Sequence, residues 1–445
     1  MHRKIRKTVK HKKINDIIFV GGGISSLYTA YLLQKEHKKN KKHNSFSFQI
    51  FEKNKRLGGR LGIYSFHQTD VVMGAGVIRA KKDHFLIKLT KELKIKINPF
   101  KTLIQPYKRK SDQKIVSLKN YFSKLRAFYK KLNFKQKRHF NFQKFFLHFF
   151  SKNEYKEFKI AMGYTDYKYD EILEVLNHYG LDDNNSGWDG YSVNWTELIN
   201  KISKKIKRSN IHLNEEVKQI DYNKSTQIYS VKTNHNRIYY AKKIVIGTNA
   251  DHLKKLIKKS PNLKKQFPIL NKIFNNIHGQ TFLRLYALFD KSSNKILENK
   301  VNGTTLVEGP LHKIIPIDKK KGIYMIAYTD NEDAHQLRSH LKNTEKNRKY
   351  LSHLVSKSLG INGSKSLGIN AELKIKDIKA FYWPTGTHYY SPLGDQPYKD
   401  ITTYVRKAQN PIDGFFVVGE MISRQQGWTQ GALESVHSVF DKIKR

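Results

Sequence analysis

The chain has 445 residues, 38% of them hydrophobic, a length suited to two or three domains with substantial cores. Lys and Arg total 84 against 37 Asp and Glu, a formal net charge of +47, which favours contact with polyanions but specifies no fold. There is no Cys, which excludes disulfides, a Cys nucleophile, Cys-ligated zinc and a prosthetic group attached through Cys.

Residues 1–13 read as a basic leader. No apolar stretch approaches the roughly 20 residues that span a bilayer. Ile14 to Leu33 is interrupted by Gly, Ser and Asp, so it lacks the order of a secretory signal. The expected setting is intracellular and cytoplasmic. Abundant Lys and Asn suit AT-rich coding, with a viral origin and virion association as an alternative.

Asp16 to Val20 predicts a short strand, and Gly21 to Gly23 follow at once. Ile24 to Leu33 has helical spacing, with Leu27, Ala30 and Tyr31 on one face. Lys35 to Asn44 reads as a polar loop or helix end, and Phe46 to Phe51 as a second strand ending at Glu52. The opening therefore predicts βαβ and an α/β class. Between Pro99 and Ile206, aromatic residues crowd among Lys and Arg. Phe140, Phe142, Phe145, Phe146, Phe149 and Phe150 fit a buried helical face better than a platform for stacking bases. Further strands are predicted within Ile211 to Tyr222, Gln227 to Thr233, Arg237 to Gly247, Phe282 to Phe289, Gly322 to Tyr328 and Phe415 to Val418. A helix is predicted over Gly431 to Ile443. Ser356 to Asn370 holds two copies of Ser-Lys-Ser-Leu-Gly-Ile-Asn, a local duplication.

Gly21, Gly23 and Ser26 match G-x-G-x-x-S at a strand-to-helix junction. The two glycines permit a tight turn and close backbone approach to a pyrophosphate, whose charge the helix N-terminus stabilises. Ser26 stands where a third Gly is expected, which sets a packing problem between helix and strand. Glu52, at the end of the next strand, suits a ribose hydroxyl. In Arg56-Leu57-Gly58-Gly59-Arg60, Gly59 permits close backbone approach, while Arg56 and Arg60 suit phosphates. Glu420, Trp428 and the turn before Ala432 form a second group near the C-terminus. No dense His/Asp/Glu set points to a metal.

These ordered blocks resemble the FAD-dependent amine oxidase family, which includes monoamine, polyamine and L-amino-acid oxidases. The resemblance joins Gly21–Leu27, Glu52–Arg60, Met73–Gly76, Val217, Val245–Thr248 and Gly419–Ser435. It implies a Rossmann-like, discontinuous FAD-binding domain with an inserted α+β substrate domain. The expected FAD-binding parts are 14–97, 207–258 and 398–445. The expected substrate parts are 98–206, which is helical, and 259–397. It implies noncovalent FAD with Gly21, Gly23 and Ser26 on the pyrophosphate, Glu52 on the ribose and Arg60 by the phosphates. Gly74, Ala75 and Gly76 would approach the flavin, Val217 the adenine, and Glu420, Trp428 and Ala432 the flavin end.

Where the family often carries a Lys beside the flavin, the matching strand here carries Arg284, which stays protonated. Arg284, Trp428 and Tyr390 are the expected reaction-pocket residues. Trp383 and Tyr389 are candidate substrate contacts from an aromatic segment. Arg79 is another, offset from Val77, the nearest equivalent of the carboxylate-binding Arg of L-amino-acid oxidases; a phosphate or salt-bridge role competes with that reading. His388 reads as a structural residue, with a base role the alternative. The implied reaction oxidises a C–N bond of a small amine or amino acid, with oxygen reoxidising the flavin to give hydrogen peroxide. Two other readings stay open: a dehydrogenase with a different electron acceptor, and a weakly active FAD-fold protein that binds nucleic acid or another polyanion nonspecifically.

Overall fold

The computed structural model describes residues 13–39, 46–109, 111–179, 186–361 and 373–445. The basic leader, except Lys13, and the second copy of the duplicated heptapeptide lie outside the described residues.

The main sheet has seven strands drawn from distant parts of the chain. Its order is Val217–Asn223, Ile228–Thr233, Ile238–Ile246, Ile14–Val20 (β1), Phe48–Phe51 (β2) and Ile211–His212, with Phe415–Val417 also pairing Ile238–Ile246. β1 runs parallel to both neighbours, in a register that sets Val20 against Phe51 and Ile246. Ile17, Ile18, Phe19 and Val20 are all buried, because a central parallel strand is covered on both faces.

Helix α1 (Ile24–Lys39) crosses from β1 to β2 and extends beyond the predicted end at Leu33. Its first two turns are buried all round, from Ile24 to Ala30, rather than along one stripe. They run between the sheet and the C-terminal helix Thr429–Lys444, so the single-face expectation gives way to a helix enclosed at its N-terminal end.

A second sheet has the order Ile375–Tyr390, Ile277–Phe289, Ile323–Asp330, Lys313–Asp318, Thr304–Leu306 and Ile104–Gln105. The predicted strand at Phe282 begins five residues earlier, and Phe381–Tyr390, read as an aromatic segment, is the end of a 16-residue strand. Both extensions arise because the two long strands pair with each other along their length, through a bulge near Phe282.

Helices between Leu118 and His178 enclose an aromatic core. Phe142, Phe145, Phe146, Phe158 and Tyr167 are fully buried there. Phe140, Phe149 and Phe150 pack at its edge, so this stripe offers no open platform for bases. Among the described residues, no helix is long and apolar enough to cross a membrane.

Candidate functional site

The C-terminal end of β1 forms a cradle of backbone. Gly21 has φ +100° and donates its N–H to the Phe51 carbonyl at 2.8 Å. A Cβ at Gly21 would lie 2.8 Å from the Gly247 carbonyl oxygen, so only glycine fits. Gly22 N–H donates to Glu52 Oε2 at 2.8 Å, and Gly58 N–H donates to the Gly22 carbonyl at 2.9 Å. Glu52 is buried, and its other oxygen accepts from the backbone and side-chain amides of Asn54. The Glu52 carboxylate therefore ties the Gly21–Gly23 loop to Asn54, and the Gly58–Gly22 bond joins that loop to Arg56–Arg60.

Ser26 packs directly on Gly247, where a Cβ would meet its Oγ at 2.1 Å. Close helix–strand approach, expected from a third glycine at position 26, is met from the opposite side by Gly247. The Ser26 hydroxyl is buried without a hydrogen-bond partner among the described residues.

Arg56 points inward. Its guanidinium donates to the carbonyls of Leu57, Gly59 and Leu61, so it holds the glycine turn together instead of reaching for a phosphate. Arg60 extends the other way, to the Gly386 carbonyl and to Glu420 Oε2 at 2.8 Å. Gly74 lies against the Arg60 carbonyl oxygen, 2.2 Å from where its Cβ would sit, which seats the Met73–Gly76 turn on the same loop. Val217 is buried at the start of its strand, in register with Thr233.

Glu420 is the hub of the C-terminal group. Besides Arg60, its carboxylate accepts from His388 N–H at 3.1 Å, His388 Nδ1 at 2.8 Å and Gly427 N–H at 2.8 Å. Burial opposes its ionisation, but Arg60 and His388 beside it hold its carboxyl well below the usual carboxylate range. The Ala250 N–H donates to His388 Nε2 at 3.2 Å, so Nδ1 carries the proton shared with Glu420. Both ring nitrogens are engaged, and His388 is structural. Gly431 is required by the Gln425 carbonyl oxygen, 2.0 Å from where its Cβ would sit, and Ala432 lies buried beside it.

The predicted aromatic residues separate. Trp383 donates Nε1–H to the Met73 carbonyl at 2.7 Å and so borders the Met73–Gly76 turn. Tyr390 is fully buried, with its hydroxyl donated to the Ser423 carbonyl and its ring edge-on to Tyr404. That placement removes Tyr390 from the pocket expected for it. Tyr389 stacks on His278 at 4.9 Å and sits beside Tyr169, so its ring partners are not Trp383 or Trp428.

Arg79 and Trp428 are brought together. The Arg79 guanidinium stacks on the Trp428 ring at 3.8 Å and is held by Asp83 at 2.7 and 2.9 Å and by Gln425 at 2.6 Å. A cavity of about 250 Å³ opens against this pair, bordered also by Lys82, Asn177 and His178. Burial, together with Arg424, Lys82 and Arg79, pushes the His178 imidazole down to about 4, so it is uncharged at neutral pH. The salt-bridge role is thus realised at Arg79, in a side chain that also lines a cavity.

Sequence reasoning missed Tyr164, Phe282, Tyr328 and Lys313. Their rings form a wall beside Arg284, with Tyr164 edge-on to Tyr328 at 5.3 Å and Phe282 5.7 Å from Tyr328. Lys313 is buried with Nζ 3.1 Å from the Tyr164 ring centre. Only Tyr328 carried a usable signal, as the register partner of Arg284 on the neighbouring strand. Thr387 was also missed; its hydroxyl, next to Gly386 and His388, is buried without a partner among the described residues.

The features fit a dinucleotide cofactor. A Cβ has no room at Gly21 or Gly22, whereas at Gly23 and Gly59 it would make no contact under 3.5 Å with the chain, and among the described residues the buried Ser26 and Thr387 hydroxyls have no partner. The chain matches the model of the family described as flavin containing amine oxidoreductase over residues 24–438. It is similar to the structure of wild-type putrescine oxidase bound to putrescine, with TM-score 0.70 and 13% identity over 98% of this chain and 100% of that one. It is also similar to an engineered putrescine oxidase mutant, with TM-score 0.71 and 11% identity over 97% and 99%. Cyclohexylamine oxidase from Brevibacterium oxydans gives TM-score 0.71 and 14% identity over 97% and 99%. At these identities the likenesses establish the fold. The comparison with curated proteins finds no match. The match across nearly the whole chain, with the α/β fold it accompanies, shows that the protein belongs to the flavin containing amine oxidoreductase family.

Proposed function

We propose that the protein holds FAD noncovalently and oxidises the C–N bond of a small amine or amino acid, with oxygen as electron acceptor. The observation that carries this reading is the glycine cradle at the end of β1, joined to the Arg56–Arg60 loop by the Gly58 N–H on the Gly22 carbonyl. Bound FAD would supply the electron chemistry, accepting hydride from the amine-bearing carbon and passing electrons to oxygen as hydrogen peroxide.

The chain's own residues supply position and exclusion of water. Gly21 and Gly23 let the main chain approach the pyrophosphate, where the N-terminus of α1 favours negative charge. Glu52, which holds Gly22 N–H, has lone pairs left for a ribose hydroxyl. Arg60, fixed by Glu420 and the Gly386 carbonyl, would add positive charge near the phosphates. Gly74 to Gly76, bordered by Trp383 and Arg284, form the turn for the flavin ring. Trp428 and Arg79 line the substrate side. The indole shields the reacting face from water, and the guanidinium orients an anionic substituent.

The test is to purify the protein after expression with ample riboflavin, then to release and identify the flavin by denaturation. Reduction under anaerobic conditions by a panel of amines and amino acids follows, and then admission of oxygen. Released intact FAD, bleached by a C–N substrate and restored by oxygen with hydrogen peroxide formed, is the expected result. Bleaching without rapid oxygen uptake would replace oxygen with another electron acceptor.

A further inference from the structure

Arg284 is a buried cation that the described residues do not neutralise. It lies in the middle of strand Ile277–Phe289, 6% exposed, between Tyr328 and Phe381 on the adjoining strands. Its guanidinium stacks 4.0 Å from the Tyr328 ring centre, and Nη1 lies 3.7 Å from Met325 Sδ. No carboxylate of the described residues pairs with it. The buried Lys313, 5.9 Å from the centre of the same Tyr328 ring, is itself a cation and cannot balance it. A guanidinium does not give up its proton inside a protein, so burial cannot be relieved by neutralisation. Tyrosine faces, the Tyr286 hydroxyl and a thioether, none of them charged, are weak compensation for the water removed.

The direction in which Arg284 points gives this charge a use. Its Nη2 comes within 3.1 Å of where a Cβ would sit on Gly76, so the missing side chain at Gly76 lets the guanidinium reach the Gly74–Gly76 turn. We propose that Arg284 is a fixed positive charge that stabilises negative charge on the flavin ring, shifting the bound cofactor towards its reduced form. This rests on the FAD reading above and on that turn bordering the ring. The oxidised ring is neutral. Two electrons and one proton leave it with a single negative charge, and Arg284 then gains the counter-charge that the protein does not provide. In a water-poor site such an interaction is screened little. Arg79 is already held by Asp83, which leaves Arg284 as the cation better placed to respond to this change.

Sulfite is the probe. Its sulfur lone pair forms a bond to the oxidised ring, which becomes anionic with no proton or outside electron source, and the visible flavin band is lost. Wild type, Arg284→Lys, Arg284→Met and Arg284→Gln are prepared as FAD-loaded proteins, and FAD content is measured first. The neutral variants are expected to raise the sulfite Kd by about tenfold or more. They are also expected to lower the two-electron potential of the bound flavin by about 30 mV for each tenfold. Arg284→Lys, which keeps the charge, should stay nearer to wild type on both measures. Two neutral side chains are used so that misfolding of one does not decide the result. An FAD-loaded neutral variant with wild-type sulfite affinity and potential would overturn the inference while leaving the FAD reading intact. A wild-type protein that takes up no FAD on reconstitution would overturn both.

Discussion

Ser26 Oγ occupies the space that a side chain at position 247 would need, 2.1 Å from where a Cβ of Gly247 would sit. The helix that follows the glycine turn and the strand Ile238–Ile246 are therefore fitted by one small residue on the helix and one absent side chain after the strand. Gly247→Ala should destabilise the protein by about 1–3 kcal/mol through overpacking at a rigid junction. Ser26→Gly removes the opposing hydroxyl at a cost of about 1 kcal/mol in helix propensity. The double variant should then be more stable than the sum of the two losses. Urea unfolding of all four proteins gives the coupling energy, and strictly additive losses would sink the packing account.

Glu52 bonds to both Gly22 and Asn54, so its replacement loosens two loops at once. Glu52→Ala should weaken FAD retention by about tenfold or more, the loss of a charge-assisted acceptor and of loop order together. Glu345→Ala, at an exposed helix start, is the control and should leave retention unchanged. Equilibrium dialysis against free FAD measures both. Equal small effects would reject the role of Glu52.

Burial and the neighbouring Glu174 carboxylate push the Glu171 carboxyl up from 4.5 to about 7. The folded protein thus keeps this proton to near neutrality, whereas the unfolded chain releases it near 4.5. Its contribution to stability is full below pH 4.5 and is lost as pH rises through 7, a loss of about 3 kcal/mol at most. Glu171→Gln keeps an oxygen for the Glu174 N–H and removes the ionisation. The variant should match wild type near pH 4.5 and exceed it at pH 8. Urea midpoints at the two pH values check this; an unchanged difference between them would locate the pH dependence elsewhere.

The βαβ opening was legible because β1 is a continuous apolar run and the three glycines follow it immediately. Such local patterns survive because covering both faces of a parallel strand demands them. The burial of the Phe142–Phe149 stripe was legible for the same reason, since its spacing matches the helical repeat. The full reach of the Ile375–Tyr390 strand was not, because its length is set by pairing with a strand about 100 residues earlier. At the site, Glu52 and Glu420 stood out by their place after a strand, but their partners did not. Arg60 and Glu420 are 360 residues apart, and Ser26 and Gly247 are 221 apart, so nothing local links them. Tyr390 misled because aromatic content marks both cores and pockets; only burial distinguishes them. Tyr164 and Lys313 escaped because their proximity to Arg284 depends on how the helical segment meets the second sheet.

The cavity against Trp428 is bordered by Arg79 and Lys82, and His178 adds no negative charge. Asp83 offsets Arg79 through its ion pair, and Glu174 is likewise taken up by Arg424. The whole chain carries a formal net charge of +47. A polycation such as spermine meets a repulsive approach, while an amino acid brings a carboxylate to a guanidinium already fixed in orientation by Asp83, Gln425 and the Trp428 ring. Fixing in advance matters because the ordering cost is met in the free protein, so more of the contact is expressed as affinity. Stopped-flow flavin reduction should therefore favour at least one L-amino acid over both spermine and an aromatic monoamine at matched pH and ionic strength. Added salt should narrow the gap by screening the spermine repulsion. Arg79→Met should raise the KM for that amino acid by about tenfold to a hundredfold, with a smaller change in kcat and FAD content retained, the pattern for a lost binding contact. Faster reduction by spermine than by every other candidate, with no response to salt, would refute the electrostatic selection. A KM unmoved by Arg79→Met would show that the Arg79–Asp83 pair only supports Trp428.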